Sequence, residues 1–382
     1  MIYWDNAATT WPIPSIVRAS ACKANSLYGA NPGRSGHKMS VLAAEQVYAC
    51  RQMVADLFGL SNAAGVVFTA NCTTALNMVI RGVVGDRGRV LTSDLEHNAV
   101  MRPLAALSSS HPRYDTVAWC EDEDELVERF RRAIRPDTRL LVCTHASNVF
   151  GVTLPIGRLG ELAHQYGLLF CVDAAQSAGI LPIHMERDNI DYLCVAPHKG
   201  LYAPMGTGLL LCREEERVEP LICGGTGSHS WSLEQPEELP DRLESGTVNV
   251  SGICGVQAGI QFIKDRGQTA IYRHEMRCLQ QVFDCLQDCP AIRLYTARPE
   301  MGKTVPVLSL NVSTIPSEQV AAWLDERNIA VRAGWHCAPS AHRHFGTLEQ
   351  GTVRLAPSAF SSEQETLYIC KVFLKIAEKS LH

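Results

Sequence analysis

From about residue 60 onward, short apolar runs alternate with longer segments in which apolar residues recur every three or four positions. The short runs predict strands that are buried on both faces, and the longer segments predict helices that bury one side. Strands alternating with helices are typical of an α/β protein with a mostly parallel sheet. The predicted strands are Val66–Thr69, Val90–Thr92, Thr116–Cys120, Leu140–Thr144, Leu168–Val172, Tyr192–Ala196 and Thr207–Cys212.

One helix is predicted over Asp122–Ile134, where apolar residues share a single face. The acidic run Glu121–Glu125 lies at its start, and negative side chains are favourable at a helix N-terminus. We therefore interpret this run as a solvated helix start and not as a metal site. The apolar face consists of Leu126, Val127, Phe130 and Ile134.

The pattern changes after Gly224, where a segment rich in Gly, Ser, Glu and Pro continues to about Asn249. Two helical stretches follow, then strand-like runs at Val305–Val312 and Ile329–Arg332, and a final helix over Ser361–Lys379. This order predicts a second, smaller α/β domain. We expect the final helix to pack against the large domain or the N-terminal segment.

Composition narrows the class of protein. The 382 residues are 46% hydrophobic and 20% charged, which is typical of globular proteins. Thirty-five Lys and Arg against forty Asp and Glu give a net charge of −5, which argues against binding to nucleic acid or to an anionic membrane surface. The first twenty residues lack the basic and apolar regions of a signal peptide, so we expect a cytoplasmic protein.

The fifteen cysteines include no C-x-x-C pair, so neither a disulfide framework nor a zinc ribbon is indicated. A reducing compartment fits this usage. The spacing of His336, Cys337, His342 and His344 matches no standard zinc pattern. We therefore expect no metal site.

Two ionisable residues follow neighbouring predicted strands. Asp173 ends the run Leu168–Val172, and Lys199 follows Tyr192–Ala196. An isolated Asp in this position is more often a helix cap, and most lysines are solvated. Ligands of open α/β sheets, however, bind outside the carboxyl ends of the strands. A Lys that forms a Schiff base beside an Asp that holds the pyridine nitrogen is what pyridoxal phosphate requires.

A phosphate site would also be required, and the segment after the first predicted strand offers one. Ala70-Asn71-Cys72-Thr73-Thr74 leads into an apolar helical pattern. Free backbone N–H groups and hydroxyls at a helix start can hold a phosphate. Asn and Thr are also ordinary helix caps, so this signal is weak by itself.

Seven segments, in this order, resemble the cysteine desulfurases, which belong to the class V aminotransferase group of fold-type I pyridoxal-phosphate enzymes. The resemblance covers nearly the whole chain and implies a large domain with a mostly parallel sheet and a smaller C-terminal α/β domain. We assign residues 21–249 to the large domain, 250–382 to the small domain, and 1–20 to an N-terminal segment of the small domain. The segments are Tyr3–Thr10, Leu95–Asn98, His145–Gly151, Val172–Ser177, His198–Pro204, Leu243–Thr247 and Arg332–Cys337.

The resemblance implies that Lys199 forms the Schiff base, that Asp173 pairs with the pyridine nitrogen and that Gln176 bonds the ring oxygen. His97 would stack on the ring and donate a proton, although a lone His near a helix start is more often a cap. Thr73, His198 and the position of Cys72 would form the phosphate cup, and Thr247 would reach the phosphate of the partner subunit in a homodimer.

The resemblance also implies that Arg354 clamps the substrate carboxylate and that Asn148 and Arg332 lie near the substrate. Cys337 would take sulfur from L-cysteine as a persulfide, leaving L-alanine. Its setting differs from that of the cysteines in apolar strands, because it lies between Gly334 and Pro339 beside His336, where a thiol can be partly ionised. A sulfur-acceptor protein is an expected partner.

Two departures from the family pattern concern the phosphate cup, where Ala196 and Cys72 replace hydroxyl residues. Other activities stay open. They are a selenocysteine lyase, another class V enzyme such as an aminotransferase or a C–S lyase, and a non-catalytic sulfur-transfer scaffold. The presence of both Lys199 and Asp173 argues against the scaffold.

Overall fold

The computed structural model of the chain describes residues 1–33, 35–85, 88–107, 111–213 and 218–380. The helices are α1 (Ser15–Leu27), α2 (Lys38–Phe58), α3 (Cys72–Val84), α4 (Asn98–Ala106), α5 (Glu123–Ala133), α6 (Ile156–Gln165), α7 (Val250–Arg266), α8 (Gln268–Leu286), α9 (Ser317–Asp325), α10 (Pro339–His344) and α11 (Glu363–Ser380). The strands are β1 (Ile2–Tyr3), β2 (Val66–Thr69), β3 (Arg89–Ser93), β4 (Tyr114–Val117), β5 (Thr138–Thr144), β6 (Leu169–Asp173), β7 (Tyr192–Val195), β8 (Gly208–Cys212), β9 (Ile292–Leu294), β10 (Leu308–Val312), β11 (Ile329–Ala330), β12 (Arg332–Gly334) and β13 (Thr352–Leu355).

A seven-stranded sheet is the centre of the described structure, in the order β2-β8-β7-β6-β5-β3-β4. Its strands from β4 to β7 are parallel neighbours, and β8 runs antiparallel to both β7 and β2. Alternate residues of β6 enter separate apolar clusters, with Phe170 on one face and Cys171 on the other. Helices therefore cover both faces, as a parallel sheet requires.

The prediction of a mostly parallel α/β sheet is confirmed, and six of the seven predicted strands match within two residues. The strand predicted at Thr116–Cys120 instead spans Tyr114–Val117, because its ladder with β3 ends where Ser93 pairs with Val117. Beyond that point the N–H of Trp119 donates to the Asp94 carboxylate, at 2.9 Å. The predicted helix at Asp122–Ile134 is confirmed as α5, and Asp122 caps it.

A four-stranded antiparallel sheet, β12-β13-β10-β9, forms a second layer among the described residues. The final predicted helix is confirmed as α11, which packs against α8 and β10. Its apolar residues share a cluster with the buried Trp4 of the N-terminal segment, and β1 pairs in parallel with β11. Helix α7 packs on α1 and α2 and contributes to the core of the large sheet.

The domain bounds drawn from the sequence stay a prediction. No helix in the described ranges is both long and apolar enough to cross a membrane.

Candidate active site

Asp173 and Lys199 lie at the same end of the large sheet. Asp173 is the last residue of β6, and Lys199 follows shortly after the end of β7. The two strands are parallel neighbours, so their predicted adjacency is confirmed. Burial raises the pKa of Asp173, and the positive charge of Lys199 opposes this shift. Burial lowers the pKa of Lys199, and the negative charge of Asp173 opposes that shift. A carboxyl group and an amine thus share a desolvated site in which each favours the charged form of the other.

The N-terminal segment fixes the turn that carries Lys199. The hydroxyl of Thr10 donates to the Lys199 carbonyl at 2.8 Å, and the Thr10 N–H donates to the His198 carbonyl at 2.9 Å. Nearby, Nε2 of the buried Gln176 donates to the carbonyl of Ala7 at 2.9 Å. Burial lowers the pKa of His198 to about 4. Residues far apart in the sequence thus hold three of the predicted cofactor residues in place.

The start of α3 lies next to Asp173 and Lys199. Asn71 is the N-cap, and its side-chain oxygen accepts the N–H of Thr74 at 2.9 Å. Thr73 is exposed there, so its hydroxyl is accessible to a phosphate. Cys72 differs, because it is buried and its Sγ lies 3.7 Å from Oδ1 of Asp173. The helix-cap interpretation of this segment is therefore correct and remains compatible with an anion site at the helix end.

His97 caps helix α4. Its Nδ1 accepts the N–H of Ala99 at 3.0 Å, so the proton of the neutral ring lies on Nε2. Burial first, then the nearby Lys199 and Arg332, lowers the pKa of His97 to about 4. The imidazole is therefore neutral at pH 7, with one N–H available away from its own helix.

Two arginines face each other across neighbouring strands, since Arg332 of β12 pairs in register with Arg354 of β13. Arg354 is 1% exposed and donates to Oδ1 of Asp5 at 2.8 Å and to the carbonyl of Asn148 at 2.9 Å. Burial lowers its pKa, and Asp5 opposes that shift. Nε of Arg354 is buried without a hydrogen-bond partner among the described residues. This N–H is left for an acceptor, and the paired cations favour an anion.

Cys337 lies on a tight turn between β12 and α10, and its side chain is exposed. Both His336 and Cys337 have left-handed backbones, with φ of 48° and 59°. The turn is held by the N–H of Asn98, which donates to the Cys337 carbonyl at 2.7 Å, and by Nδ2 of Asn148, which donates to the His336 carbonyl at 2.7 Å. Nη2 of Arg332 lies 3.9 Å from Sγ of Cys337. The thiol is thus fixed beside the segment of His97 and beside a cation.

Thr247 lies elsewhere in the described structure. It is exposed, its hydroxyl accepts from Nδ2 of Asn31 at 3.3 Å, and it lines a surface cavity whose described lining includes none of the other predicted site residues. Residues that share this cavity include Tyr48, Arg51, Ser228 and Asp241. The chain by itself therefore does not bring Thr247 to Lys199.

The two buried histidines near Cys337 are engaged with threonines. Nε2 of His336 lies 3.0 Å from the carbonyl of Thr352, and Nδ1 of His342 lies 2.7 Å from the hydroxyl of Thr347. In the described part of the chain, no group of three or more His, Cys, Asp and Glu side chains is arranged to hold a metal ion.

Sequence reasoning missed three residues that organise the site. Asp5 pairs with Arg354, Thr10 holds the Lys199 turn, and Asn98 holds the Cys337 turn. All three lie in or beside the segments that resemble the desulfurases, but their partners are distant in sequence. Only the position of these residues within the motifs could have indicated a role.

Comparison with known proteins shows the family of the chain. The family model for the class-V aminotransferases matches residues 2–367. A protein of Methanothermobacter thermautotrophicus named probable cysteine desulfurase is 30% identical, and the match covers 98% of this chain and 94% of that protein. The cysteine desulfurase of Klebsiella pneumoniae is also 30% identical, over 88% of this chain and 84% of that protein.

Among solved structures, the apo cysteine desulfurase of Thermococcus onnurineus superposes with a TM-score of 0.90 at 30% identity. The superposition covers 99% of this chain and 95% of that one. The similarity of fold therefore extends over nearly the whole chain.

Proposed function

The chain belongs to the class-V aminotransferase family, and from that premise we propose that it is a pyridoxal-phosphate-dependent cysteine desulfurase. It converts L-cysteine to L-alanine and keeps the sulfur as a persulfide on Cys337. The cysteine desulfurases among its relatives support this activity. The observation that carries the proposal is the exposed thiol of Cys337, held on a strained turn 3.9 Å from Arg332.

The side chains at the end of the large sheet suit pyridoxal phosphate. The buried carboxyl of Asp173 would bind the pyridine nitrogen, and the amine of Lys199 would bind the aldehyde carbon. Thr73 and His198 would hold the phosphate, Gln176 the ring oxygen, and His97 would lie against the ring. When bound, the cofactor supplies an electron sink for the substrate α-carbon.

The arginine pair is the proposed site for the substrate carboxylate. A planar guanidinium binds a carboxylate through two parallel N–H bonds, and Nε of Arg354 is a buried donor that lacks an acceptor among the described residues. Asn148 lies behind this pair, because its carbonyl accepts from Arg354. The side chain of Asn148 in turn orients the Cys337 turn.

Lys199 and His97 are the proposed proton carriers. Because burial lowers the pKa of Lys199, its amine gives up a proton more readily than an exposed lysine and can then remove the proton from the substrate α-carbon. His97 keeps Nε2–H at neutral pH, since its Nδ1 is occupied by Ala99. It can donate through that atom.

Sulfur transfer takes place at Cys337. The thiolate Sγ forms a bond to the substrate sulfur as the substrate Cβ–S bond breaks, and the electron pair of that bond stays with carbon. Proton transfer to that carbon, together with the return of a proton to the substrate α-carbon, completes alanine, and Cys337 keeps the sulfur as a persulfide. Nη2 of Arg332, 3.9 Å from Sγ, lies beside the attacking sulfur.

A homodimer completes the site in this proposal. Thr247 would reach the phosphate in the partner subunit, which accounts for its distance from Lys199 within one chain. Large apolar side chains are exposed in the preceding loop, with Trp231 85% exposed and Leu233 fully exposed. Burial of these side chains in a dimer interface would remove them from water.

The persulfide then passes to the thiol of a sulfur-acceptor protein, which can approach Cys337 because this residue is exposed. The fifteen cysteines, all free thiols within the described residues, fit a reducing compartment such as the cytoplasm.

The Cys337→Ala variant tests the activity. We expect it to lose alanine formation from cysteine at least a hundredfold while still binding the cofactor, because Cys337 contacts sulfur and not the ring. Alanine is quantified after incubation with cysteine. Mass spectrometry of the parent should show one added sulfur on the peptide of Cys337. Cys22→Ala, which removes another exposed thiol, should behave as the parent does.

Desulfuration of cysteine by Cys337→Ala at the parent rate would refute the persulfide mechanism. The same variants should be given selenocysteine, because selenium leaves carbon more readily and needs less help from a nucleophile. A parent that releases selenide but no sulfide would instead be a selenocysteine lyase.

The position of the cofactor is tested by borohydride reduction and peptide mapping. We expect the pyridoxyl group on Lys199, since this lysine lies beside the buried Asp173 and has a lowered pKa. Lys303, which is exposed and paired with Glu300, is an internal control. A label on any lysine other than Lys199 would overturn the site assignment.

A further inference from the structure

Cys72, at the predicted phosphate cup, directs its side chain to the carboxylate of Asp173. It is the first residue of α3 and is buried. Its Sγ lies 3.7 Å from Oδ1 of Asp173, within hydrogen-bonding range for sulfur, and Oδ1 also accepts the N–H of Ala175 at 2.9 Å. Two donors, one from α3 and one from the turn after β6, therefore converge on the same carboxylate oxygen.

The thiol of Cys72 keeps its proton in this setting. Burial raises its pKa well above the ordinary value, and the negative charge of Asp173 raises it further. Two more buried thiols, those of Cys171 and Cys194, lie in its neighbourhood, and their sulfur atoms are 3.9 Å apart. A protonated thiol beside a carboxylate is a donor, and no path to solvent is needed for that role.

We propose that Cys72 is a positioning residue for Asp173, whose S–H donates to Oδ1 so that the other carboxylate oxygen is presented to the pyridine nitrogen. This inference rests on the proposed function, because it concerns the hold of this chain on pyridoxal phosphate. It replaces the expectation, drawn from the sequence, that Cys72 is a weakened member of the phosphate cup.

The geometry suits sulfur better than oxygen. An O–H···O bond needs a separation of about 2.5–3.0 Å, and a hydroxyl oxygen sits on a shorter bond to Cβ than sulfur does. From the same Cβ, a serine hydroxyl would therefore fall short of Oδ1 unless the helix start moved. Cysteine bridges a gap between α3 and β6 that serine leaves open.

This difference makes Cys72→Ser the decisive variant. If Cys72 belongs to the phosphate cup, serine restores a hydroxyl donor and the cofactor is retained better. If Cys72 positions Asp173, serine loses the contact and behaves as alanine does. The two interpretations thus predict opposite changes for one substitution.

The experiment measures the rate at which pyridoxal phosphate leaves the holoenzyme, for the parent, Cys72→Ser and Cys72→Ala. We expect about three- to fivefold faster release from both variants, which corresponds to the loss of one weak hydrogen bond. The pH titration of the visible absorbance band of the bound cofactor should shift in both, because the partner of the pyridine nitrogen has changed. Cys50→Ala, which removes a buried thiol from the opposite face of the large sheet, should leave both readouts unchanged.

A second readout needs no cofactor. The infrared S–H stretch of Cys72, obtained as the difference between parent and Cys72→Ala, should lie at a lower frequency than that of an unbonded thiol and should return to it in Asp173→Ala, which removes the acceptor oxygen. An unshifted band, or a Cys72→Ser variant that holds the cofactor as tightly as the parent or more so, would overturn the proposal. If the parent binds no pyridoxal phosphate, the proposed function fails and this inference fails with it, whatever the infrared result.

Discussion

At the scale of single residues, the carboxylate of Asp5 compensates the buried positive charge of Arg354. The guanidinium is 1% exposed, and its ion pair with the N-terminal segment spans almost the whole chain. Removing one partner of a buried pair leaves an uncompensated charge, which costs more than the pair contributes by itself. The arginine that binds the substrate in the proposed reaction is thus held by a residue outside its own domain sheet.

We expect Asp5→Asn to lower the free energy of unfolding by about 2 to 3 kcal/mol, somewhat below the usual cost for a fully buried pair because Asp5 is partly exposed. Urea unfolding of the cofactor-free protein measures this. Asp284→Asn breaks the exposed ion pair with Arg298 and should give no measurable change. Equal losses in the two variants would show that burial of Arg354 does not determine the cost.

The sequence predicted which residue types form the site better than it predicted their partners. Asp173 and Lys199 follow neighbouring strands, and that relation is readable because strand ends are readable. The contact between Cys72 and Asp173 is not readable, since it depends on the side-chain direction at the first turn of α3. The ion pair between Asp5 and Arg354 could not be predicted either, because 349 positions separate the two residues.

At the scale of elements, the turn of Cys337 shows how a short connection fixes a nucleophile. Two consecutive non-glycine residues, His336 and Cys337, adopt left-handed backbones. Such strain persists only where surrounding contacts determine it. Here the contacts come from Asn98 at the start of α4 and from Asn148. The helix that His97 caps, and the Asn148 that accepts from Arg354, therefore also hold the turn of the thiol.

The hydrophobic pattern predicted some of the strands and not others. The buried strands β5, β6 and β7 were predicted because each is a continuous apolar run. Short strands such as β9 and β13 were not, because their few residues lack a pattern of their own and gain their pairing from β10. The antiparallel direction of β8 was also not predicted, since direction depends on how the chain returns to the sheet.

At the scale of the whole molecule, buried ionisable groups determine how stability depends on pH. Burial lowers the pKa of His97, His145, His198 and His342 to about 4 and that of His336 to about 2. As the pH falls through about 6.5, these histidines therefore bind protons in the unfolded chain but not in the folded chain. Stability is fully present above that pH and is lost as the pH falls toward 4.

Glu275 acts in the opposite direction. It lies on α8, its Oε1 accepts the hydroxyl of Tyr202 at 2.9 Å, and that hydroxyl also accepts the N–H of Ala359 at 3.2 Å. This contact joins the segment after Lys199 to a helix and to the C-terminal part of the chain. Oε2 of Glu275 is buried with no partner among the described residues, and burial raises the pKa of the carboxyl to about 8.

The folded chain therefore holds a proton on Glu275 that the unfolded chain has released, and the stability due to that proton is lost as the pH rises from about 4.5 to 8, by about 1.4 kcal/mol per pH unit. Glu275→Gln keeps an acceptor for Tyr202 and cannot ionise, so its stability should not fall in this way. Between about pH 6 and about pH 8, we expect the variant to gain about 2 kcal/mol relative to the parent in urea unfolding. Glu349→Gln, at an exposed position, should follow the parent at both pH values. If Glu275→Gln also runs parallel to the parent, the buried carboxyl is already ionised at pH 6, and the contact between Tyr202 and α8 holds a charge and not a proton.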